Sequence, residues 1–409
     1  MLTINEPKKI LAKFAIYLIM ARSFLIIPMI GLHLLCDSKA MARFFKLVWP
    51  LALLIFVYAI YSLGQLNEFA NVIGQSRDML LTFVVFGFLS SIPARMGGEH
   101  LAYNTVRNGA VVIGFGKMAI LTISAATGMP TGEIIEAVSK VWNIQLMTLG
   151  VQDSFLTRLQ IPMDSVTPYI LYVLMGQILI SKKKKFLNNV CLIVLIISTL
   201  LTFSRFFWAV SVVAIGLSLL FNAKLSTKIY YVIVAFLIGW VLYSFTPVGD
   251  SVDKILETRI GGSINTSSDV VRDMQSNAMS HHYLDSPILG HGIGYFIPTL
   301  IRSPESPYVY ENQTQSMLMD MGFVGGAIYL LVIALVIFGS CYNRFETRFI
   351  NIALTFGFLA LWMAGGMFNP LLFGASGGAI LFFCARHHAV LNHYKAESIP
   401  EGVLERETP

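Results

Sequence analysis

Charge is what this chain has least of. Only 13% of its 409 residues are Asp, Glu, Lys or Arg, against 56% hydrophobic, whereas a soluble domain carries about 25% charged residues. With a mean hydropathy of +0.69, a water-soluble fold is excluded. Cysteine is also scarce. Cys36, Cys191, Cys341 and Cys384 lie in or beside apolar runs without Cys-x-x-Cys spacing, which excludes a disulfide framework or a zinc knuckle. No stretch alternates apolar and polar residues at period two, so a membrane β-barrel is excluded. No internal repeat is visible. No basic face interleaved with aromatics occurs outside the loops, leaving no footprint for nucleic acid. The N-terminal apolar run lacks a small-residue cleavage site and reads as a retained anchor, not a signal peptide.

What the chain does have is long apolar runs, at about 10–36, 44–63, 78–94, 108–127, 166–181, 186–203, 206–221, 229–246, 314–340, 349–365 and 370–385. Most approach or exceed the roughly 18 residues that cross a bilayer, and backbone groups in hydrocarbon must be satisfied within the segment. The expected fold is therefore all-α and polytopic, with about 10–12 transmembrane helices and a large outer loop holding some helix. Residues 1–246 form an N-terminal helix bundle, 247–313 the outer loop, 314–390 the last helices and 391–409 a tail. Lys182–Lys185, Lys224 and Lys228, Arg344 and Arg348, and Arg386 with His387 and His388 all alternate onto one side, which the positive-inside rule makes cytoplasmic. With eleven spans the N-terminus falls outside despite Lys8, Lys9 and Lys13. Either residues 10–36 do not cross once, or a further span exists. Segment 128–165, with Glu133, Glu136, Lys140, Trp142 and Leu146, reads equally as an interfacial helix or a plain loop.

The candidate chemistry sits on the outer side. Arg205, between two apolar spans, is costly there unless it reaches water or an anion, and its fork suits phosphate oxygens; the alternative is a snorkelling residue that marks a helix end. Arg259 and Arg272 lie among Glu257, Asp269 and Asp273, so surface ion pairs compete with a clamp for a diphosphate. Glu311 could take a proton from an attacking hydroxyl, with Asn312 or Gln315 placing the sugar, or cap the helix that follows. Gly290, Gly292 and Gly294 permit close backbone approach, yet lack the ending of a nucleotide loop. Tyr295, Phe296, Tyr308 and Tyr310 could stack on sugars or pack the loop. His281, His282, Asp285 and His291 match no familiar ligand spacing, and no metal is expected. Few acids lie inside the spans, which disfavours an ion-coupled carrier.

Three elements together resemble the O-antigen polymerase/ligase superfamily. They are Thr202-Phe-Ser-Arg205 between two spans, Arg272 ahead of Pro287-Ile-Leu-Gly-His-Gly-Ile-Gly-Tyr-Phe296, and Glu311-Asn312 followed by Gly322 and Gly325. The likeness covers about residues 186–340. It implies a metal-independent, inverting glycosyltransferase without cofactor at the periplasmic face of the bacterial inner membrane. Its donor and acceptor would be undecaprenyl diphosphate-linked oligosaccharides, with membrane lipid and a chain-length regulator as further partners. Arg205 and Arg272, and more loosely Arg259, match the family's phosphate-contacting arginines. Glu311 stands where ligases of the family carry histidine. That departure points to a polymerase, with Tyr310, Asn312, Gln315 and the three glycines on the substrate side. A ligase and a non-enzymatic lipid-glycan transporter are the alternatives.

Overall fold

The computed structural model describes residues 5–142, 158–181, 185–231, 233, 263–301, 303–342 and 349–397. It is all-α. Seven of the described helices are long and apolar enough to cross a membrane, consistent with a multi-pass membrane protein. The expected span at 229–246 lies largely outside the described residues.

Residues 10–36 do not cross. They break into α1 (Asn5–Met20) and α2 (Ile26–Cys36). At 1.5 Å per residue α2 is about 16 Å long, half the roughly 30 Å hydrocarbon core. The two pack against each other, and Lys8 near the start of α1 acts electrostatically on His33 and Asp37 at the end of α2. The pair is therefore a hairpin that returns to the face it left. Its reversal uses the amides of Arg22 and Ser23, bonded to Ile19 and Leu18 carbonyls, and Arg22 adopts a left-handed φ of 51°. This hairpin removes the conflict over Lys8, Lys9 and Lys13, because the N-terminus now shares an end with the other basic segments.

Helices α3 (Ser38–Gly64), α4 (Phe69–Ser91) and α5 (Gly98–Thr127) follow. Asp37 caps α3 through the amides of Lys39 and Ala40 and binds Arg95 beyond α4 at 2.7 Å. Burial raises the Asp37 carboxyl, but the Arg95 bond and the α3 amides outweigh it and hold it below the usual range. The tie thus contributes fully above the ordinary carboxylate pKa and is lost as pH falls through the lower folded-state value. Cysteines introduced at Lys9 and Lys39 are expected to react from the same side of the membrane, and one at Asn67 from the other. Labelling of the first two from opposite sides would mean that residues 10–36 cross.

Within 128–165 the residues Thr131–Trp142 form helix α6; Leu146 lies outside the described residues. After a short 3-10 turn come α7 (Thr167–Ile180), α8 (Lys185–Leu200) and α9 (Arg205–Asn222). The outer segment supplies α10 (Ser263–Asp285), and the chain ends in α11 (Gln313–Tyr342), α12 (Phe349–Phe368) and α13 (Ala375–Glu397). Helix α13 runs well past the apolar limit at 385. Arg386, His387 and His388 are buried within it, Arg386 lying 3.8 Å from Glu99. One apolar core joins α1 to α5, α7 to α9 and α11 to α13.

Candidate active site

At the end of the bundle opposite Asp37 and Arg95, four backbone features converge. The first is the turn into α9. Thr202 Oγ1 bonds the Thr199 carbonyl and accepts the Ser204 amide, and the Ser204 hydroxyl caps the Phe207 amide. Phe203 between them takes φ 46°. Hydroxyl residues at 202 and 204 thereby close a tight turn that leaves Arg205 exposed at the first helical position. Its guanidinium has no hydrogen-bond or ion-pair partner among the described residues.

The second feature is a break in α11, where Gly322 takes φ 64° and ψ −176°. A broken helix in a membrane must have its freed groups satisfied by protein. The glycine-rich loop does this. The His291 and Gly292 amides bond the Met319 and Asp320 carbonyls at 3.0 and 2.7 Å, while the Phe323 and Val324 amides bond Pro287 and Ile288 at 2.8 and 3.0 Å. Gly290, Gly292 and Gly294 all have positive φ. A Cβ on Gly290 would lie 2.4 Å from the Asp320 carbonyl, one on Gly292 2.7 Å from Ser62 Oγ, and one on Gly294 2.5 Å from the Val72 nitrogen. Their amides bond Ser286, Asp320 and Gln75. The three glycines dock the loop between α3, α4 and α11, with their amides engaged by the protein.

The third feature is the start of α11. Asn312 accepts the Gln315 amide at 3.0 Å and so supplies the helix cap; Gln315 in turn donates to Ser276 and Ser280 on α10. Glu311 is not the cap. Its carboxylate lies 2.7 Å from Nε of Arg272 on α10, with the Glu311 side chain 19% exposed. Tyr310 is fully buried with Met279, Ile297 and Met319, and its oxygen accepts the Ile297 amide. Burial pushes its phenol up to about 12, so it stays protonated and packs the loop. Arg259 lies outside the described residues.

The fourth feature is the end of α12, which joins the others. A Cβ on Gly365 would lie 3.4 Å from the Phe206 ring, and one on Gly366 2.7 Å from Thr314 Oγ1. Thr314 also donates to the Met363 carbonyl, and Phe206 stacks on Phe368 at 5.3 Å. Phe206, next to Arg205, and Thr314, three residues past Glu311, thus meet the same turn of α12.

His282, Asp285 and His291 each bring one ligand atom within 4.8 Å of the others. One ring nitrogen of each histidine already has a protein partner. Tyr295 Oη lies 2.8 Å from His282 Nδ1, and His291 Nε2 donates to the His282 carbonyl. His281 does not join them.

Two residues escaped the sequence reading. Gln75 Nε2 donates to Asp320 Oδ2 at 2.6 Å, and Gln75 Oε1 accepts the Gly294 amide at 2.5 Å. Gln75 therefore joins α4, the break in α11 and the glycine loop. The available signal was the spacing of Asn71, Gln75 and Asp78 along one helical face ahead of an apolar run. Asp320 is 1% exposed. Gln75→Leu strands both Asp320 and the Gly294 amide and is expected to destabilise the protein by about 2 kcal/mol, whereas Gln75→Leu with Asp320→Leu recovers the part due to the stranded carboxyl, the Gly294 amide still lacking its acceptor. Thermal melts in detergent check the cycle; additive losses would deny the coupling.

Residues 190–330 match a protein-family model described as O-antigen ligase. The match takes in the Arg205 turn, Arg272, the glycine loop, Glu311 and the break at Gly322. No curated protein matches the chain significantly.

Proposed function

We propose that this chain, which the match assigns to the O-antigen ligase/polymerase-like superfamily, is an inner-membrane surface-polysaccharide polymerase. It moves a growing glycan from undecaprenyl diphosphate onto the non-reducing sugar of a lipid-linked repeat unit. The observation that carries this reading is the Arg272–Glu311 pair, a carboxylate held against a guanidinium at the membrane-facing start of a helix.

The acceptor hydroxyl oxygen attacks the anomeric carbon, and the bond from that carbon to the diphosphate oxygen breaks with inversion. The hydroxyl proton passes to Glu311. Negative charge grows on the leaving diphosphate, where Arg205 and Arg272 stabilise it, with Arg259 as a further candidate. Arg272 is bonded to Glu311 before substrate arrives. A diphosphate with two charged oxygens competes for that guanidinium, and as Arg272 turns to it the Glu311 carboxylate is released to act as base. The arrangement ties proton acceptance to donor binding. Asn312 and Gln315 hold the helix start at which the acceptor sugar sits. The end bearing this site faces the periplasm, since the opposite end carries Lys8, Lys9, Lys39, Lys224 and Lys228. No metal or cofactor enters the scheme.

The family description itself favours a second reading, ligation of finished glycan to a lipid core. A gel of envelope glycolipids from a strain lacking the gene separates the two. Core bearing a single repeat unit is expected here and means polymerase. Bare core, with long glycan stranded on the isoprenoid carrier, would mean ligase. An unchanged ladder would remove the protein from this polysaccharide.

A further inference from the structure

The α1–α2 hairpin leaves a recess. Because it turns back before crossing, the volume above its tip toward the active-site end is not filled by those helices. A cavity of about 440 Å³ opens there between α1, α5 and the 3-10 turn ahead of α7. Tyr17 and Met20 from α1, Gly109 and Val112 from α5 and Met163 from the turn line it, and its surface is part apolar and part polar. Val112, 67% exposed, and Tyr17, 41% exposed, stand at its mouth. The far wall is fixed by a buried ion pair, Lys117 Nζ to Asp164 Oδ1 at 2.5 Å, with Asp164 also accepting the Ile161 amide.

One charged group lines this cavity, and it is Arg22. Its guanidinium has no hydrogen-bond or ion-pair partner among the described residues. The nearby Asp78 acts on it electrostatically but is bonded at 3.0 Å to Arg77, so the group of three carries a net positive charge. Arg22 is exposed at the hairpin tip; within a bilayer an arginine is costly without an anion or water, and its left-handed backbone is strained. Strain held at a single point beside a cavity is a pointer to use.

We infer that this recess binds a second phosphate-headed isoprenoid lipid, the one carrying the acceptor, with its phosphate on Arg22 and its chain between α1 and α5. The inference rests on the polymerase reading, in which two lipid-linked diphosphates must sit on one chain while Arg205 and Arg272 account for one. Charge complementarity selects a phosphate. Depth selects the lipid. The hairpin tip stops below the far headgroup level, so a glycerophospholipid would have to draw its glycerol and both tails down to reach it. A single unbranched-headed isoprenoid chain can descend between two helices.

The test is native mass spectrometry of the full chain with undecaprenyl monophosphate as probe and phosphatidylglycerol in parallel. The wild type is expected to hold two copies of the probe. Arg22→Ala, or Val112→Trp filling the exposed mouth, is expected to hold one, with affinity at the recess lowered about tenfold or more, as for the loss of a charge-assisted bond. The retained copy, removed by Arg272→Ala, shows that the variants are folded. Two copies bound undiminished by both variants, a single copy in the wild type, or equal displacement by phosphatidylglycerol would overturn the inference. If Arg22→Ala removes a copy while a strain lacking the gene keeps a normal glycolipid ladder, the recess stands and the polymerase reading falls.

Discussion

Glu311→Gln is expected to abolish chain elongation while leaving the protein in the membrane at its normal level. Glutamine keeps the shape and can still accept a bond from Arg272, so α10 and α11 stay docked; the surrounding contacts of Asn312, Gln315 and Tyr310 do not involve the carboxylate. What is lost is a base. General-base catalysis contributes about 10² to 10⁴-fold, enough to reduce a length ladder to single units. Arg272→Lys is expected to fall almost as far, because an ammonium cannot exchange a carboxylate edge for two phosphate oxygens as a planar fork does. The two variants are separated by Glu311→His. Histidine at this position restores a base, as in the ligases this segment resembles, and partial elongation should return. The measurement is the glycolipid ladder in a deletion strain, read against protein level by blot. A wild-type ladder from Glu311→Gln would leave residues 272 and 311 as a structural ion pair only.

The second large effect falls on Gly294. An added Cβ meets the Val72 nitrogen at 2.5 Å and the Asn71 carbonyl carbon at 2.7 Å. Both are backbone atoms of α4 and cannot rotate away, so the loop must leave its seat. Positive φ adds strain of roughly 1–2 kcal/mol, and the overlap about 1–3 kcal/mol more. Gly294→Ala should therefore free residues 287–296 to protease and cost most activity, with the helices intact by circular dichroism. Gly128 provides the comparison. It has φ 68° but open space around its Cβ, so Gly128→Ala carries the strain without the overlap and should retain activity. Equal loss in both variants would mean that backbone strain, not docking against α4, sets the requirement for glycine.

The contrast between these residues shows what the linear chain discloses. Apolar runs such as 44–63 and 108–127 lie within α3 and α5 because crossing a membrane is a local property of composition. The run 10–36 did not disclose its reversal, since its length equals that of one crossing, and only Arg22, Ser23 and Pro28 hint at a turn. The first two turns of α4 fell outside the expected span because Asn71, Gln75 and Arg77 lower the hydropathy; Gln75 is polar because it meets Asp320 and Gly294 far along the chain. The glycine loop was legible as backbone needing freedom. Its partner, the break at Gly322, was not, because a ladder between residues 287–292 and 319–324 leaves no periodic trace.

These distant partners bear on how the protein is made. Tyr58, Tyr61, Asn67 and Gln75 bond atoms that lie 219 to 263 residues further along the chain. During synthesis α3 and α4 emerge long before the glycine loop exists. Until α11 is inserted, their polar groups must be shielded by water at the membrane surface, by other helices or by the insertion machinery. The stretch 190–330 therefore cannot seat its own glycine loop, and transplanting it alone into a related bundle would carry over the candidate residues without their seat. Biogenesis ends, for this protein, with the step that makes it competent.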